Sequence, residues 1–558
     1  MKILKQTILL TALAATTFSS CKKDDFAINT NPSAVTTSTV DYKSVLPASL
    51  SASAAAQATQ WKFLQSWLGY WARSGSYQSI VDEETYSFTN DFPTTVNYSG
   101  VAGANSIWNN LYAAAANYDF VEKNAREKGA GTYEAIAKIM KCLHMQMLVD
   151  VYGNVPYSEA FKGAVLRTPK YDDDQAIYVA LFRELDAAIA LLNNANLSAP
   201  AANLDLAAND LVFQGNKTNW KKFANTIKLR MLMHTGNTSF AGGTEVNTFV
   251  AGINQTAEMA TIVAEGSGFL GAGLSAKINP GYNDTKPNPY YRAYIINETG
   301  SLPGLGDQTK ANAFAVGPNP SGPASGYYQW NGDPRVDKFY GFRAGGTTHR
   351  GIPFGEIANF NALNGGNNLS TVNGSGLVPN GAASNAWIFT STESLFLQAE
   401  AIRRGLMAGS TSGMLTSAIT ESFTSLGLTA AQATTYITNN ATYPDVDFNG
   451  VSQGAGLPAG GMYTILSQKW FALNTFATLE VWSDYRRANM QYGLGGGFIE
   501  GPAISTNPSN VKTKIPIRLL YPQNEYSFNP TNALGEGVID VFTAGGVTGR
   551  NRIFWDKN

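Results

Sequence analysis

Histidine, cysteine and charge are all scarce in this chain of 558 residues. Its 3 histidines, His144, His234 and His349, are far apart in sequence, and this leaves no imidazole cluster for a metal or a catalytic triad. Charged residues make up only 15% of the chain, 40 basic against 41 acidic, whereas an average domain carries about 25%. A chain this close to neutral lacks the basic footprint that a phosphate backbone demands, which excludes nucleic acid as a partner. Beyond the first residues no apolar run approaches the ~18 needed to span a bilayer. A Gly-x-Ser-x-Gly elbow, a Walker loop and a His-Glu-x-x-His helix are all missing, and no cofactor or metal motif replaces them. What is abundant is aromatic: 26 tyrosines, 28 phenylalanines and 10 tryptophans, within 44% hydrophobic residues. Such a composition builds a large core and stacking surfaces, and leans towards binding. A glycosidase pair of carboxylates stays open, because spatial separation rather than local spacing defines it.

The 2 cysteines are Cys21 and Cys142. Residues 1–20 read as a signal peptide: Lys2 and Lys5 precede the apolar stretch from Ile8 to Ala15, which is too short to cross a membrane, and Ser19-Ser20 lead to Cys21. Phe18-Ser19-Ser20-Cys21 resembles the bacterial lipobox, with Phe18 where that motif usually has Leu. The resemblance implies a mature chain that starts at an acylated Cys21 and is held to a membrane by lipid alone. Residues 21–41, polar and rich in turn formers, read as a tether. Cys142 then has no partner for a disulfide, and its apolar neighbours Met140, Leu143 and Met147 make it a packed thiol.

From Ser44 to about Thr235 the apolar period is helical, through Ile136, Met140, Leu143 and Met147 and again through Trp220, Phe223, Ile227 and Met231. Tyr171-Asp172-Asp173-Asp174 reads as the cap of a helix running through Ile177, Leu181, Leu185, Ile189 and Leu192. Between about 266 and 385 lie 22 of the 54 glycines, the signature of loops and short strands inserted between helical blocks. Helical periodicity returns at Leu395, Ala399 and Ile402 and at Leu466, Trp470 and Leu473. No fixed repeat period is present. Asp445-Val446-Asp447-Phe448-Asn449-Gly450 matches the opening of a calcium loop, but Gly456 stands where the closing Glu belongs, so a turn is the commoner explanation.

Seven blocks follow one another in a recognisable order: Asp150-Val151-Tyr152-Gly153-Asn154-Val155-Pro156-Tyr157, Trp220 to Arg230, Asp333-Pro334-Arg335, Ser394 to Ala401, Gln468 to Leu473, Trp482 to Arg487 and Pro516 to Pro522. In order and type they resemble the SusD/RagB-like family of outer-membrane nutrient-binding lipoproteins. Physically the blocks read as structure: Gly153 and Pro156 end a helix, and Arg230, Glu400, Asp484 and Arg486 on apolar helices must be paired where helices pack. The resemblance implies a mainly α fold, tetratricopeptide-like helix pairs packed against an irregular loop-rich region, as a single domain over residues 42–558. It also implies capture of nutrients outside the cell and delivery to a TonB-dependent, SusC-like transporter barrel, without catalysis. Lys22-Lys23-Asp24-Asp25 looks like the surface-export signal of such lipoproteins.

A nutrient site of this kind calls for aromatic platforms with amides and hydroxyls around them. Two clusters qualify, Trp67, Tyr70, Trp71 and Tyr77 near the end of the first helix, and Tyr290, Tyr291, Tyr327, Tyr328 and Trp330 in the glycine-rich segment. Core packing competes for every one of these rings. Trp67, Tyr70 and Trp71 share a helical face and suit the core. Tyr327, Tyr328 and Trp330, bordered by glycines, suit exposure, and Trp330 and Tyr328 are the first candidates for ligand contact, with Trp71, Tyr77, Tyr290 and Tyr291 behind them. Three readings remain: a glycan-binding lipoprotein, the same scaffold binding peptides, and a lipid-anchored hydrolase. For the anchor, Cys21→Ala is expected to release the protein from the outer-membrane fraction or leave the signal uncleaved. Full processing and membrane attachment in that variant would refute lipidation.

Overall fold

A computed structural model of the chain describes residues 40–77, 81–87, 107–194, 202–241, 244–279, 281–318, 326–330, 332–356, 365–449, 460–488, 504–542 and 552–556. The signal peptide, Cys21 and nearly all of the tether lie outside these residues, as does Gly450 in the Asp445 turn. The fold is mainly helical, and many of its longer helices begin where a side chain supplies the missing acceptor. Helix α1 (Tyr42–Thr59) is capped by Asp41, and α2 (Ile107–Glu127) turns directly into α3 (Gly131–Tyr152). Nearly every side chain of α3 is buried, as befits a helix enclosed on all sides. It ends at Gly153, whose φ of +75° brings its N–H onto Val149 O at 2.8 Å. A Cβ there would meet the Arg518 guanidinium at an ordinary contact distance of 3.4 Å, so it is the positive φ rather than space that calls for glycine.

The acidic triplet does cap α4 (Asp174–Asn193): Asp173 accepts the Ala176 N–H at 2.9 Å. Its neighbours hold the surroundings together, Asp172 accepting the N–H groups of Tyr157 and Ser158 and Asp174 that of Phe554. Then come α5 (Lys217–His234), capped by Asn216, the antiparallel hairpin β2 (Gly236–Ala241) and β3 (Thr244–Phe249), and α6 (Gln255–Glu265). The hairpin interrupts the reading of residues beyond Thr235 and has no alternating apolar pattern that would have announced it. After the loop-rich segment follow α7 (Ser391–Arg403), α8 (Thr411–Ser425), α9 (Ala430–Asn439), α10 (Gly461–Leu473) and α11 (Thr478–Arg487). Successive helices pack as neighbours, α2 on α3, α3 on α4 and α4 on α5, and α7 joins the two halves by touching α5, α8 and α10.

Within 266–385 the described helices are single turns, such as Pro289–Tyr294 and Tyr327–Trp330. The segment is pinned to the helices by two antiparallel strand pairs. Strand β1 (Trp71–Arg73) lies against β5 (Thr309–Ala311), and β4 (Ala276–Ile278) against β6 (Ala386–Phe389). Trp67, Tyr70 and Trp71 are buried, but they do not share a helical face: the helix ends at Trp67, Gly69 turns with φ +82°, and Trp71 lies in β1. Cys142 is buried, and burial pushes its thiol up to about 12. No helix among the described residues is long and apolar enough to cross a membrane.

Buried charges join the helices, as the blocks required. Arg230 on α5 donates to Glu393 on α7 at 3.1 Å and to Gln146 on α3 at 2.7 Å. His234 lies 2.7 Å from Glu480 on α11 and 3.2 Å from Asp150 on α3. Lys469 on α10 donates to Glu480 at 2.6 Å and Asp484 at 3.1 Å, and Arg487 grips Glu400 through both terminal nitrogens at 2.7 and 3.1 Å while also reaching Asp484. Burial alone raises a carboxylate, but Arg487 and Arg404 hold Glu400 down to about 2. Arg486 departs from the expected pairing. Its guanidinium donates to the carbonyls of Asp150 at 2.6 Å and Ile517 at 3.1 Å and lies over the rings of Trp482 and Trp555, and among the described residues it makes no ion pair.

Two buried histidines give this core opposite pH dependences. Burial pushes His144 down to about 4, where it sits between Met140 O at 2.8 Å and Ser53 Oγ at 3.2 Å. An unfolded histidine titrates near ~6.5, so between these values the unfolded chain binds the extra proton and stability falls with pH. His234 is shifted the other way: burial opposes its charge, but Glu480 and Asp150 raise it, so its contribution is present in acid and fades as pH rises. Lowering the pH from 7 to 5 is expected to remove on the order of 2 kcal/mol through His144. Urea melts at the two pH values should show a smaller drop for His144→Gln, and an equal drop would refute the assignment.

Candidate functional site

The two aromatic clusters read from the sequence meet, but mostly inside the protein. Trp470 of α10 is the hub. Tyr70 stacks on it at 4.5 Å and 18°, and Tyr327 and Tyr328 approach it at 4.9 and 5.3 Å. Their hydroxyls are all engaged: Tyr70 donates to Trp470 O at 2.8 Å, Tyr328 to Phe471 O at 2.7 Å and Tyr327 to Asp445 at 2.9 Å. The expected exposure of Tyr327 and Tyr328 is therefore corrected. They form a single helical turn that α10 covers, and Tyr328 is 0% exposed. Trp71 and Tyr290 are also buried, Trp71 against Tyr294 at 5.2 Å and Tyr290 with its hydroxyl on Val372 O. As placed, none of these four rings, Tyr327, Tyr328, Trp71 and Tyr290, offers a face to a ligand. Trp330 closes the same turn, and its side chain lies outside the described residues. Tyr291 is half-buried, packed near Gly381.

Tyr77 is the candidate that the structure leaves both reachable and oriented. It follows β1 and is half-buried, with its hydroxyl donating to the Asp307 carboxylate across the boundary between first helices and insertion. That hydrogen bond, with some burial, pushes the phenol up to about 12. Lys310, on β5, lies 3.9 Å from the same carboxylate, and burial lowers its ammonium despite Asp307. Beside them the Gly366 N–H donates to Ser76 Oγ at 3.1 Å, and the Ala344 N–H donates to Asn367 O at 3.0 Å. These hydrogen bonds tie Tyr77 and Asp307, through Ser76, Gly366 and Asn367, to the loop carrying Phe342. Beneath it Ala72, Ile352 and Leu369 form a small apolar cluster of their own, which gives the loops a floor. Phe342 is 44% exposed, with its ring 4.8 Å from that of His349.

The surface thus carries a ring at each end with carboxylate, amide and hydroxyl groups between. That arrangement suits a polyhydroxylated ligand, since rings cover its C–H faces and polar groups fix its orientation. Sequence reasoning missed Asp307, Asn367 and Phe342. A lone Phe or Asp in a glycine-rich stretch carries no periodic signal, and only its place beside Tyr77 gives it meaning. Among the described residues no group of three potential metal ligands occurs, and the Asp445 carboxylate accepts the hydroxyl of Tyr327 from the distant loop-rich segment.

A search of the curated proteins returns no match. A family profile described as "Starch-binding associating with outer membrane", the SusD-like family, matches residues 56–302 and 325–522. Among solved structures, a chitin-binding protein is 22% identical, with a TM-score of 0.62 over 93% of this chain and 99% of its own. A chitin-binding SusD homologue from Flavobacterium johnsoniae is 20% identical, with a TM-score of 0.60 over 92% and 99%. A SusD homologue from Parabacteroides distasonis is 19% identical, with a TM-score of 0.67 over 93% and 98%. At these identities the likeness establishes the fold. Neither the family nor these neighbours supports the peptide-binding or hydrolase readings. With the family profile spanning most of the chain and its seven blocks in place, the protein belongs to the SusD-like family of starch-binding proteins associated with the outer membrane.

Proposed function

We propose that this protein is a non-catalytic, lipid-anchored glycan receptor. It captures oligosaccharides outside the cell and passes them to a TonB-dependent, SusC-like transporter barrel. Membership of a family described as starch-binding and outer-membrane associated carries the reading. Two structural neighbours described as chitin-binding support the ligand class. The surface from Tyr77 to Phe342 supplies the physical means: partly exposed rings on loops held by a rigid helical scaffold. Acylation at Cys21 would place that surface at the membrane without a spanning helix. A receptor that hands its cargo on needs moderate affinity, and a shallow platform of this kind provides it.

Calorimetric titration of the purified protein with maltoheptaose and chitohexaose tests the reading. Tyr77→Ala is expected to weaken binding by ~1–3 kcal/mol, the worth of a large apolar face, with little change in melting temperature. Tyr328→Ala is expected to behave oppositely, costing ~3–5 kcal/mol of stability because its ring fills the core. Neither oligosaccharide should be cleaved. Absence of glycan binding across a broad panel, or turnover abolished by a single Asp or Glu substitution, would refute the receptor.

A further inference from the structure

A buried ammonium needs acceptors, and several in this molecule have them at close range. Lys138 reaches the Glu122 carboxylate at 2.8 Å, Lys141 the same carboxylate at 2.5 Å and Lys469 that of Glu480 at 2.6 Å. Lys310 differs. Its side chain is only 3% exposed, yet among the described residues it makes no hydrogen bond, and its ion-pair partner, Asp307 Oδ1, stands 3.9 Å away. Burial lowers this ammonium more than Asp307 raises it, so the carboxylate does not make good the lost solvation. The backbone that carries Lys310 is fixed on both sides, paired with Ala72 of β1 and bridged to Thr371.

Asp307 opens the pair to solvent. Its side chain is 46% exposed, and its Oδ2 accepts the Tyr77 hydroxyl, while Oδ1, on the Lys310 side, accepts no hydrogen bond among the described residues. Ser74 Oγ, Asp307 Oδ1 and Lys310 Cε all lie within 3.6 Å of a single point, the position that a Cβ on Gly366 would take. Gly366 in turn donates its N–H to the exposed Ser76. A charged donor and a charged acceptor thus stand together beside the Tyr77 hydroxyl, too far apart to bond directly. An oxygen about 2.8 Å from each fits between them. A hydroxyl accepts and donates through one oxygen. The carboxylate of an acidic sugar has no proton for Asp307 and meets its charge, the ammonium of an amino sugar meets Lys310, and a trans acetamide points its N–H and C=O in opposite directions.

We propose that Lys310 and Asp307 form a hydroxyl-binding subsite beside Tyr77, in which one hydroxyl of a neutral sugar accepts from the Lys310 ammonium and donates to Asp307 Oδ1. The proposal rests on the glycan-receptor reading and deepens it: the ligand is an uncharged glycan with a free hydroxyl next to the face that the Tyr77 ring covers. Both bonds are charge-assisted, and the ammonium gains the acceptor that its burial calls for.

Titration of the full mature protein with maltoheptaose, chitohexaose, cellohexaose, mannohexaose and trigalacturonate tests the subsite. The tightest ligand is expected to be a neutral one. For that ligand Lys310→Met should weaken binding about tenfold, with a melting temperature no lower than that of the wild type, because a buried charge has been removed. Asp307→Asn keeps an acceptor for Tyr77 and should weaken binding to a similar extent, and the double variant no more than either single one, since one hydroxyl serves both groups. A lysine that serves the fold alone gives the reverse, unchanged affinity with a lower melting temperature. Wild-type affinity in either single variant, losses that multiply in the double variant, or tightest binding of trigalacturonate overturns the subsite and leaves the receptor reading intact. Failure of every probe to bind overturns both.

Discussion

Ionised groups in the interior must be matched where they lie, and this requirement governs the helical half of the protein. Asp150 sits on α3, Arg230 and His234 on α5, Glu393 and Glu400 on α7, Lys469 on α10, and Glu480, Asp484 and Arg487 on α11. Partners are shared. Glu480 is bonded by both His234 and Lys469, and Asp484 by both Lys469 and Arg487. Leaving one partner of such a pair unmatched typically costs ~3–5 kcal/mol, more than a single helix contact returns. No two of these helices satisfy the set alone. The network therefore favours one register for all of them together, a task that non-directional apolar packing performs less sharply.

The loop-rich segment inherits its order from the same helices. On α10, Lys469 turns into the ion network, and Trp470, the next residue and about 100° further round, enters the aromatic hub. That hub holds Tyr70, Tyr327 and Tyr328, and Tyr70 O accepts from both the Asn312 N–H and the Tyr340 hydroxyl. Strand β1 then pairs with β5, and Ala72 joins Ile352 and Leu369 under the outer loops. Glycine-rich chain with single-turn helices has little stability of its own. Here it is ordered from below, ring by ring and carbonyl by carbonyl, and so it can present side chains at its outer edge.

The sequence made the scaffold far more legible than the surface. Gly153 as a stop, Asp173 as a cap, Cys142 as a packed thiol and Glu400 as a paired charge all follow from local chemistry, which the fold does not override. Arg486 was misjudged because carbonyls and indole rings satisfy a guanidinium as well as a carboxylate does, and no spacing rule distinguishes them. Tyr328 was misjudged for a different reason. Glycine neighbours signal a bend in the chain but say nothing about what lies on top of it, and here α10 lies on top. Tyr77 gained its standing only from Asp307, 230 residues away, a contact with no trace in local pattern.

Scaffold and surface are also separate in their contacts, and this bears on how the protein does its work. The buried ions of this network bond to one another, to backbone carbonyls and to side chains of the helices and the β2–β3 hairpin, whereas Tyr77, Asp307 and Phe342 find their partners outside it, Tyr77 in Asp307 and Arg73, Asp307 in Tyr77 and Lys310, and Phe342 in His349. Changes at distant sites with no shared partners act almost independently. The outer loops can therefore vary in ring, charge and amide without disturbing the ion network. The quoted blocks supply Asp150, Arg230, Glu400, Lys469, Asp484 and Arg487, and His234, Glu393 and Glu480 lie close outside them. Blocks that hold the scaffold in this way mark the family, and the proposed ligand contacts at Tyr77 and Phe342 lie outside them.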